Sequence, residues 1–165
     1  MKELRDLYDG NRMFTGKVCY KDEKIPQGKY IMAVTLFVLD ENNNLLLQKR
    51  SKEKGGKYGF ISGHPKAGET SSKGMITEIK EEIGMDVGHN EIKYFHTEKN
   101  ENTFFDFYIL KRNINVENLK LQKEEVEKMK WFSIYETNEL IRKNEFFSNH
   151  VEAFEIIKKY LKNKE

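Results

Sequence analysis

Short apolar runs separated by polar, turn-forming residues dominate this chain and predict a series of strands and helices. Residues 31–39 and 45–50 are rich in β-forming side chains, and the DENNN segment between them predicts a hairpin. Further strands are predicted at residues 13–20, 59–62, 91–98, 103–112 and 128–133. Apolar residues at helical spacing predict helices over 137–143 and 151–162. Together these elements predict a mixed sheet with helices on both faces, an α/β architecture.

A further helix is predicted between residues 70–72, whose hydroxyl groups can cap its first turn, and Gly84, which favours a helix stop. At about 100° per residue, its acidic side chains fall on one face. These are Glu78, Glu81 and Glu82. The roughly opposite face carries Ile76, Ile79 and Ile83. The helix is therefore predicted to pack its isoleucines into a core and to present its glutamates together.

The acidic face of this helix carries an electrostatic cost, because like charges three and four residues apart repel one another. A bound cation offsets that repulsion, and clustered carboxylate oxygens are the ligands that Mg²⁺ and Mn²⁺ prefer. The segment therefore predicts a divalent-metal site. The alternative is a solvated acidic face, as most charged runs are, and the placement of Gly63 and Glu69 ahead of it is then a coincidence.

The spacing of residues 63–85 resembles the signature of the Nudix hydrolases. That signature is Gly, five residues, Glu, seven residues, then Arg-Glu-apolar-any-Glu-Glu-any-Gly-apolar. The matching residues are Gly63, Glu69, Glu78, Ile79, Glu81, Glu82, Gly84 and Met85. Thr77 departs from it, since the family has Arg at this position. Threonine cannot form a bidentate ion pair with a carboxylate, so we expect weaker orientation of the glutamates and lower activity, but no lost metal ligand.

The resemblance implies an α/β/α sandwich and a hydrolase that directs water at a diphosphate linkage, in a nucleoside diphosphate derivative or a related pyrophosphate. It also implies Mg²⁺ or Mn²⁺ as cofactor, because the substrate charge must be offset and the attacking water acidified. The implied metal ligands are Glu78, Glu82 and the carbonyl group of Gly63. The implied catalytic residues are Glu78, Glu81 and Glu82.

Two further groups are candidates for the site. Arg50 ends the first predicted hairpin, and its planar guanidinium suits a phosphate of the substrate. Several Nudix enzymes also use a carboxylate from a loop beyond the signature. The candidates here, among which the sequence does not choose, are Glu124, Glu125 and Glu127.

A second resemblance is to the isopentenyl-diphosphate isomerases of the same superfamily, which carry Cys-Gly-His-Pro where this chain has Ser62-Gly63-His64-Pro65. The segments YDGNRMFTGK and LLLQKRS also resemble Nudix hydrolases described as isomerase-like. The isomerases require their cysteine and lack part of the glutamate set, so isomerase activity is an alternative to hydrolysis rather than the favoured reading. A catalytically silent Nudix module that binds a nucleotide is a further alternative, supported by Thr77.

The other polar residues carry simpler predictions. His64 is expected to be an exposed loop residue, and Ser62 lacks an evident activating base, so it is not expected to act as a nucleophile. The remaining histidines are scattered along the sequence and predict no zinc site. They are His89, His96 and His150.

Size and charge restrict the remaining possibilities. The 165 residues predict a single Nudix hydrolase domain over 1–165, with 1–30 as an N-terminal extension packed on it. A net charge of +2 disfavours a nucleic-acid partner, and the longest apolar run, 31–39, is too short to span a membrane. One cysteine, Cys19, and a charged N-terminus predict a cytoplasmic protein. The resemblance implies a small-molecule diphosphate as its partner. The fold is compatible with a homodimer.

Overall fold

A seven-stranded mixed sheet and a separate two-stranded sheet organise the computed structural model, which describes residues 2–164. The strands are β1 (Leu4–Tyr8), β2 (Phe14–Tyr20), β3 (Ile31–Leu39), β4 (Leu45–Arg50), β5 (Tyr58–Gly59), β6 (Ile61–Gly63), β7 (Lys93–Lys99), β8 (Thr103–Lys111) and β9 (Val126–Phe132). The helices are α1 (Ser71–Ile83), α2 (Ile134–Arg142) and α3 (Val151–Lys162). Every predicted strand and helix is confirmed within a few residues. Strand β1 is an addition, because charged residues in LRDLY hide its alternation, and the predicted strand over 59–62 is divided into β5 and β6.

Strand β3 is the centre of the large sheet, and all of its residues are buried. It pairs in parallel with β8 from Ile31↔Thr103 to Leu39↔Lys111, and antiparallel with β6 on its other side. Strand β7 extends the sheet beyond β8 in the predicted second hairpin. A strand covered on both faces needs apolar side chains in both directions, which explains the unbroken apolar run over 31–39.

The first predicted hairpin is confirmed only at its turn. Strands β3 and β4 form one pair of residues, Leu39↔Leu45, and then diverge. Beyond that pair the backbone of β4 is bonded to β9 and β5, and the backbone of β3 is bonded to β6 and β8. The sheet therefore opens between β3 and β4, and side chains from both strands line the space.

The two faces of the large sheet bury separate cores, which confirms the α/β/α sandwich. Helix α1 packs on one face through fully buried Ile79 and Ile83. Helices α2 and α3 cover the other face, where Phe154 of α3 lies against the same cluster as Phe37 of β3. Successive residues of a strand point to opposite faces, so each strand contributes to both cores.

The ends of α1 match the prediction from the sequence. The hydroxyl group of Thr70 accepts a hydrogen bond from the backbone N–H of Lys73 and caps the first turn. Gly84 ends the helix in the left-handed conformation with φ 70°. Because both ends are set by local residues, the position of the glutamates along α1 is set as well.

The N-terminal hairpin β1–β2 is joined to the large sheet by a partly buried ion pair. Arg12 donates through both terminal nitrogens to the carboxylate of Asp106 on β8, with one contact at 2.8 Å. Thr97 donates to the same carboxylate at 2.7 Å. These contacts outweigh the effect of burial and hold the pKa of Asp106 below its usual value. The hairpin thereby lies where Glu3 and Lys21 reach the opening between β3 and β4.

Within the described residues, no helix combines the length and the apolar character needed to cross a lipid bilayer.

Candidate active site

A cleft of about 860 Å³ occupies the opening between β3 and β4. Its walls come from α1 on one face of the sheet, from residues 147–156 on the other face, and from the N-terminal hairpin. All five residues assigned to the site from the sequence line it. They are Arg50, Gly63, Glu78, Glu81 and Glu82. The fold therefore brings the predicted phosphate-binding and metal-binding residues into the same space.

Glu78 lies directly against the end of β6. A Cβ atom built on Gly63 falls 2.2 Å from the carboxyl carbon of Glu78, so only glycine leaves room for this side chain. Within residues 2–164, the carboxylate of Glu78 has no hydrogen-bond donor. A carboxylate enclosed in this way without a protein partner is suited to a ligand that the protein itself does not supply.

Glu82 lies one turn further along α1 and is buried, with 9% of its surface exposed. The side-chain amide of Gln48 on β4 donates to its Oε2 at 2.8 Å. The backbone N–H of Gln122 donates to its main-chain carbonyl at 2.9 Å, which ties the loop before β9 to α1. Gln48 therefore orients one carboxylate oxygen and leaves the other for a ligand.

Burial raises the pKa values of both carboxyl groups, and nearby carboxylates add to the effect. The pKa of Glu78 rises to about 8, first through burial and then through the charges of Glu82 and Glu81. The pKa of Glu82 rises to about 7 through burial, partly offset by the hydrogen bond from Gln48. Without a cation, the pair therefore holds protons near neutral pH, and a divalent cation would displace them.

Glu81 differs from its two neighbours, because it is partly exposed and forms an ion pair with Lys66. No three acidic, histidine or cysteine side chains within residues 2–164 stand together at metal-binding separation. The predicted donor set consists of the carboxylates of Glu78 and Glu82 and the backbone carbonyl of Gly63, all of which line the cleft. This set fits Mg²⁺, which commonly uses one or two carboxylates together with water and substrate oxygens.

Thr77 retains a link to the signature glutamates despite its small size. Its hydroxyl group donates to Oε2 of Glu69 at 2.6 Å. The other oxygen of Glu69 accepts from the backbone N–H of Lys66 at 2.7 Å. Glu69 thus stabilises the loop before α1 by its bond to Lys66, and the bond from Thr77 links this loop to the helix. Among the signature glutamates Thr77 bonds only Glu69, so the weaker orientation of the glutamates on α1 expected from the missing arginine stays a prediction.

Three basic side chains line the same cleft as the glutamates, and each has a partner within the protein. The guanidinium of Arg50 lies 4.2 Å from the ring centre of Phe147. Lys54 faces Glu125 at 3.6 Å. Lys21 reaches the cleft from the N-terminal hairpin and faces Glu3 at 3.5 Å. No local pattern marks Lys21, because its position depends on how the hairpin packs.

The three candidate loop carboxylates, among which the sequence did not choose, differ in their surroundings in the structure. Glu125 lines the cleft, and its charge contributes to the raised pKa of Glu82. Glu124 is exposed, and Glu127 faces Lys49 at 3.4 Å. Of these three loop carboxylates, Glu125 is therefore the one that acts electrostatically on Glu82.

The prediction that His64 is exposed was wrong, and the sequence did not predict that His150 lies in the cleft. His64 is partly buried in the cleft wall, with Nδ1 3.1 Å from the carbonyl oxygen of Met32. His150 also lines the cleft, where it lies between the backbone of Phe60 and the side chain of Ser62. Burial and the charge of Arg50 lower the pKa of His150 to about 4. Residues far apart in the sequence meet here, so spacing alone carried no signal for the contact.

Comparison with protein families agrees with this geometry: the NUDIX domain model matches residues 29–154. The chain belongs to the Nudix family. A Nudix hydrolase of Listeria monocytogenes is 32% identical over 148 residues, which is 86% of each chain. A Nudix hydrolase of Listeria innocua is 34% identical over 128 residues, covering 73% of this chain and 74% of the relative.

Solved structures share the fold. A Deinococcus radiodurans protein superposes with a TM-score of 0.78 at 14% identity, over 93% of this chain and 98% of that one. The Nudix domain of Shewanella oneidensis NrtR, crystallised with ADP ribose, superposes with a TM-score of 0.63 at 14% identity, over 80% and 88% of the two chains. This Nudix protein is thus a hydrolase of pyrophosphate-containing substrates, in a family whose members generally use divalent metals.

The raised pKa values of the glutamate pair predict that this Nudix protein is less stable at alkaline pH when free of metal. The pKa values of Glu78 and Glu82 are about 8 and about 7 in the folded state, against 4.5 for the unperturbed groups. The folded state therefore binds more protons than the unfolded state between pH 4.5 and 8, and stability falls as pH rises through this window. We expect the metal-free melting temperature to fall by about 5 °C between pH 5 and pH 8.5.

Differential scanning fluorimetry with a chelator measures this profile, and the Glu78→Gln variant is its control. The variant should show a flatter profile, because it removes the group with the larger shift. Added Mg²⁺ should raise the melting temperature of the wild type at pH 8.5 and have little effect at pH 5. Equal pH profiles for the wild type and the variant would contradict the assignment.

Proposed function

We propose that this protein is an Mg²⁺- or Mn²⁺-dependent hydrolase that cleaves the diphosphate linkage of a nucleoside diphosphate derivative or a related pyrophosphate. The observation that carries the proposal is the pair of enclosed carboxylates, Glu78 and Glu82, beside Gly63 and with basic side chains lining the same cleft. This arrangement combines sites for a cation and for phosphate in one cleft.

In this proposal the carboxylates of Glu78 and Glu82 and the carbonyl of Gly63 hold the ion. A bound divalent ion offsets the charge of the diphosphate and lowers the pKa of a coordinated water. Gln48 keeps the carboxylate of Glu82 in its binding orientation. Glu81, at the rim of the cleft, orients the attacking water. The ion pair with Lys66 limits the movement of the Glu81 side chain.

Binding of the substrate phosphates is assigned to Arg50, with Lys21 and Lys54 beside it. Each of these cations has a partner that a phosphate can replace, and an anion of higher charge competes well for an exposed side chain. When Lys54 turns to phosphate, Glu125 is released from its ion pair. We therefore assign Glu125 the role of the assisting loop carboxylate.

We further propose that residues 1–165 act as a single Nudix hydrolase domain, with 1–30 as an extension that completes the cleft. The ion pair between Arg12 and Asp106 and the placement of Lys21 support this role for the extension. The homodimer, the cytoplasmic location and the lack of a nucleic-acid partner stay predictions.

A substrate panel tests the proposal. The purified protein is incubated with nucleoside di- and triphosphates, sugar nucleotides, ADP-ribose, dinucleotides and prenyl diphosphates, with Mg²⁺, Mn²⁺ or EDTA. We expect metal-dependent release of a nucleoside monophosphate or inorganic phosphate from part of the panel. Conversion of isopentenyl diphosphate to its dimethylallyl isomer would favour the isomerase alternative. Nucleotide binding without hydrolysis of any compound would favour the silent module.

A further inference from the structure

His150 holds a defined set of hydrogen bonds inside the cleft. Its Nδ1 atom lies 3.1 Å from the backbone nitrogen of Phe60, which carries a hydrogen and donates it. Its Nε2 atom lies 3.2 Å from Oγ of Ser62. A Cβ atom on Gly59 would fall 2.6 Å from Nδ1, so the glycine leaves room for the imidazole ring. The ring is therefore held against the backbone at the junction of β5 and β6, two residues before Ser62.

This geometry determines which ring nitrogen carries the proton. A backbone N–H can only donate, so Nδ1 of His150 must be an acceptor and must be unprotonated. In a neutral imidazole the hydrogen then lies on Nε2. Nε2 donates this hydrogen to Oγ of Ser62. Ser62 consequently accepts from His150, and its own hydroxyl hydrogen points elsewhere.

The Ser62–His150 pair is therefore not a nucleophile with its general base. A base must have a free lone pair facing the hydroxyl hydrogen, and the nitrogen that faces Ser62 is already protonated. The structure thus agrees with the expectation that Ser62 does not attack the substrate. Within residues 2–164 the side chain of Ser62 has no hydrogen-bond partner besides His150.

Apolar side chains form part of the surroundings of Ser62. Strand alternation places its side chain on the same face of the sheet as Phe60, toward α3. The cleft wall includes Phe105, Phe107 and Ile156, and the charged side chains of Glu98 and Glu152 also line the cleft. The next residue along the chain is Gly63, beside the carboxylate of Glu78. The hydroxyl group of Ser62 therefore lies between the proposed diphosphate site and an apolar wall.

We propose that Ser62 is a specificity residue that donates its hydroxyl hydrogen to a neutral acceptor atom, a carbonyl oxygen or a ring nitrogen, on the non-phosphate group of the substrate. This inference rests on the proposed function. That group is an uncharged ring that packs on the aromatic wall of the cleft. His150 is a positioning residue, since it occupies the acceptor side of the hydroxyl and leaves only the donor side for the ligand. A hydrocarbon group is disfavoured because it leaves this donor unpaired in an enclosed site.

Binding of three non-hydrolysable compounds tests the proposal directly. Adenosine and uridine α,β-methylene diphosphates carry the ring, and methylenediphosphonate carries only the phosphate portion. By isothermal titration calorimetry with Mg²⁺, we expect Ser62→Ala to weaken binding of at least one nucleoside analogue by about tenfold. Binding of methylenediphosphonate should change by less than about twofold. Equal loss for both kinds of compound, or no loss for either nucleoside analogue, would overturn the proposal.

Two sets of control variants separate the role of Ser62 from a general effect of mutation. Ser72 is another serine bonded to a histidine, His89, but it lies outside the cleft, so Ser72→Ala should bind all compounds as the wild type does. His150→Gln can still accept from Phe60 and donate to Ser62 through its amide, and it should keep the preference for the nucleoside analogue. His150→Leu should lose that preference. A His150→Gln variant that behaves like Ser62→Ala would refute the role of His150.

The tautomer of His150 can be measured without any ligand. The ¹⁵N chemical shifts of its ring nitrogens should show Nδ1 unprotonated and Nε2 protonated at neutral pH, and a proton on Nδ1 would refute the inference.

The substrate panel separates failure of this inference from failure of the proposed function. Absence of hydrolysis across the panel, with Ser62-dependent binding intact, would refute the proposed function alone. Hydrolysis with no gain in affinity from the nucleoside would refute this inference alone.

Discussion

Replacing Glu82 with Gln is expected to reduce kcat/KM by about 100-fold or more, because it removes one of two carboxylates assigned to the metal. The substitution keeps the size of the side chain, and its amide oxygen can still accept the hydrogen bond from Gln48. It also removes a buried group whose pKa is raised to about 7, so the metal-free variant should be at least as stable as the wild type at pH 8. Loss of activity without loss of stability is the result that marks a ligand rather than a structural residue.

Steady-state hydrolysis of the best compound in the substrate panel measures this effect, and calorimetric titration with Mn²⁺ measures the affinity for the ion. Glu117→Gln is the matched control, since Glu117 is exposed at a surface turn and does not line the cleft. The control should keep wild-type turnover and affinity. Wild-type turnover in Glu82→Gln would show that the metal assignment is wrong.

Replacing Gly63 with Ala is expected to lower activity by about 100-fold while leaving the fold largely intact. The new methyl group would lie 2.2 Å from the carboxyl carbon of Glu78, far inside contact distance. The atoms that must move are the end of a flexible side chain, so Glu78 can turn aside without displacing the backbone. The protein should therefore fold, but the carboxylate should leave the position where it faces Glu82.

A double-mutant cycle makes this prediction specific. In a Glu78→Gln background the carboxylate is already absent, so adding Gly63→Ala should cause little further loss of activity. Gly88→Ala is the control for the added methyl group, because a Cβ atom there meets only the Glu91 side chain at 3.6 Å. Independent, additive losses from Gly63→Ala and Glu78→Gln would argue against the proposed contact.

Much of this fold follows from patterns that extend over only a few residues. The hydroxyl cap at Thr70 and the stop at Gly84 define α1, and the apolar run over 31–39 defines the central strand. The extent of the β3–β4 pairing was not predictable in the same way. Leu39 and Leu45 flank an ordinary turn, but whether their strands stay paired depends on β6, β8 and β9, which come later in the chain.

The same distinction holds within the site. Glu78 and Glu82 belong to one helix, so their spacing placed them together before any tertiary contact was known. At Thr77 the sequence departs from the signature, and the contact that its side chain makes instead is a tertiary one. Its side chain bonds Glu69 across the loop, which a comparison with arginine did not anticipate. The charge of Glu125 near Glu82 also depends on how the loop before β9 packs against α1.

The sequence alone determined the family, through the spacing of its signature, and with the family the sandwich architecture. It also determined the residues of the acidic helix, because helical periodicity and capping act over neighbouring residues. Only the tertiary structure decided how deeply Glu82 is buried and that Gln48 donates a hydrogen bond to it. It also decided that the hydroxyl oxygen of Ser62 accepts a hydrogen bond from His150. Burial and hydrogen bonding between distant segments depend on packing in three dimensions. They set the pKa values and the donor directions that the chemistry of the cleft requires.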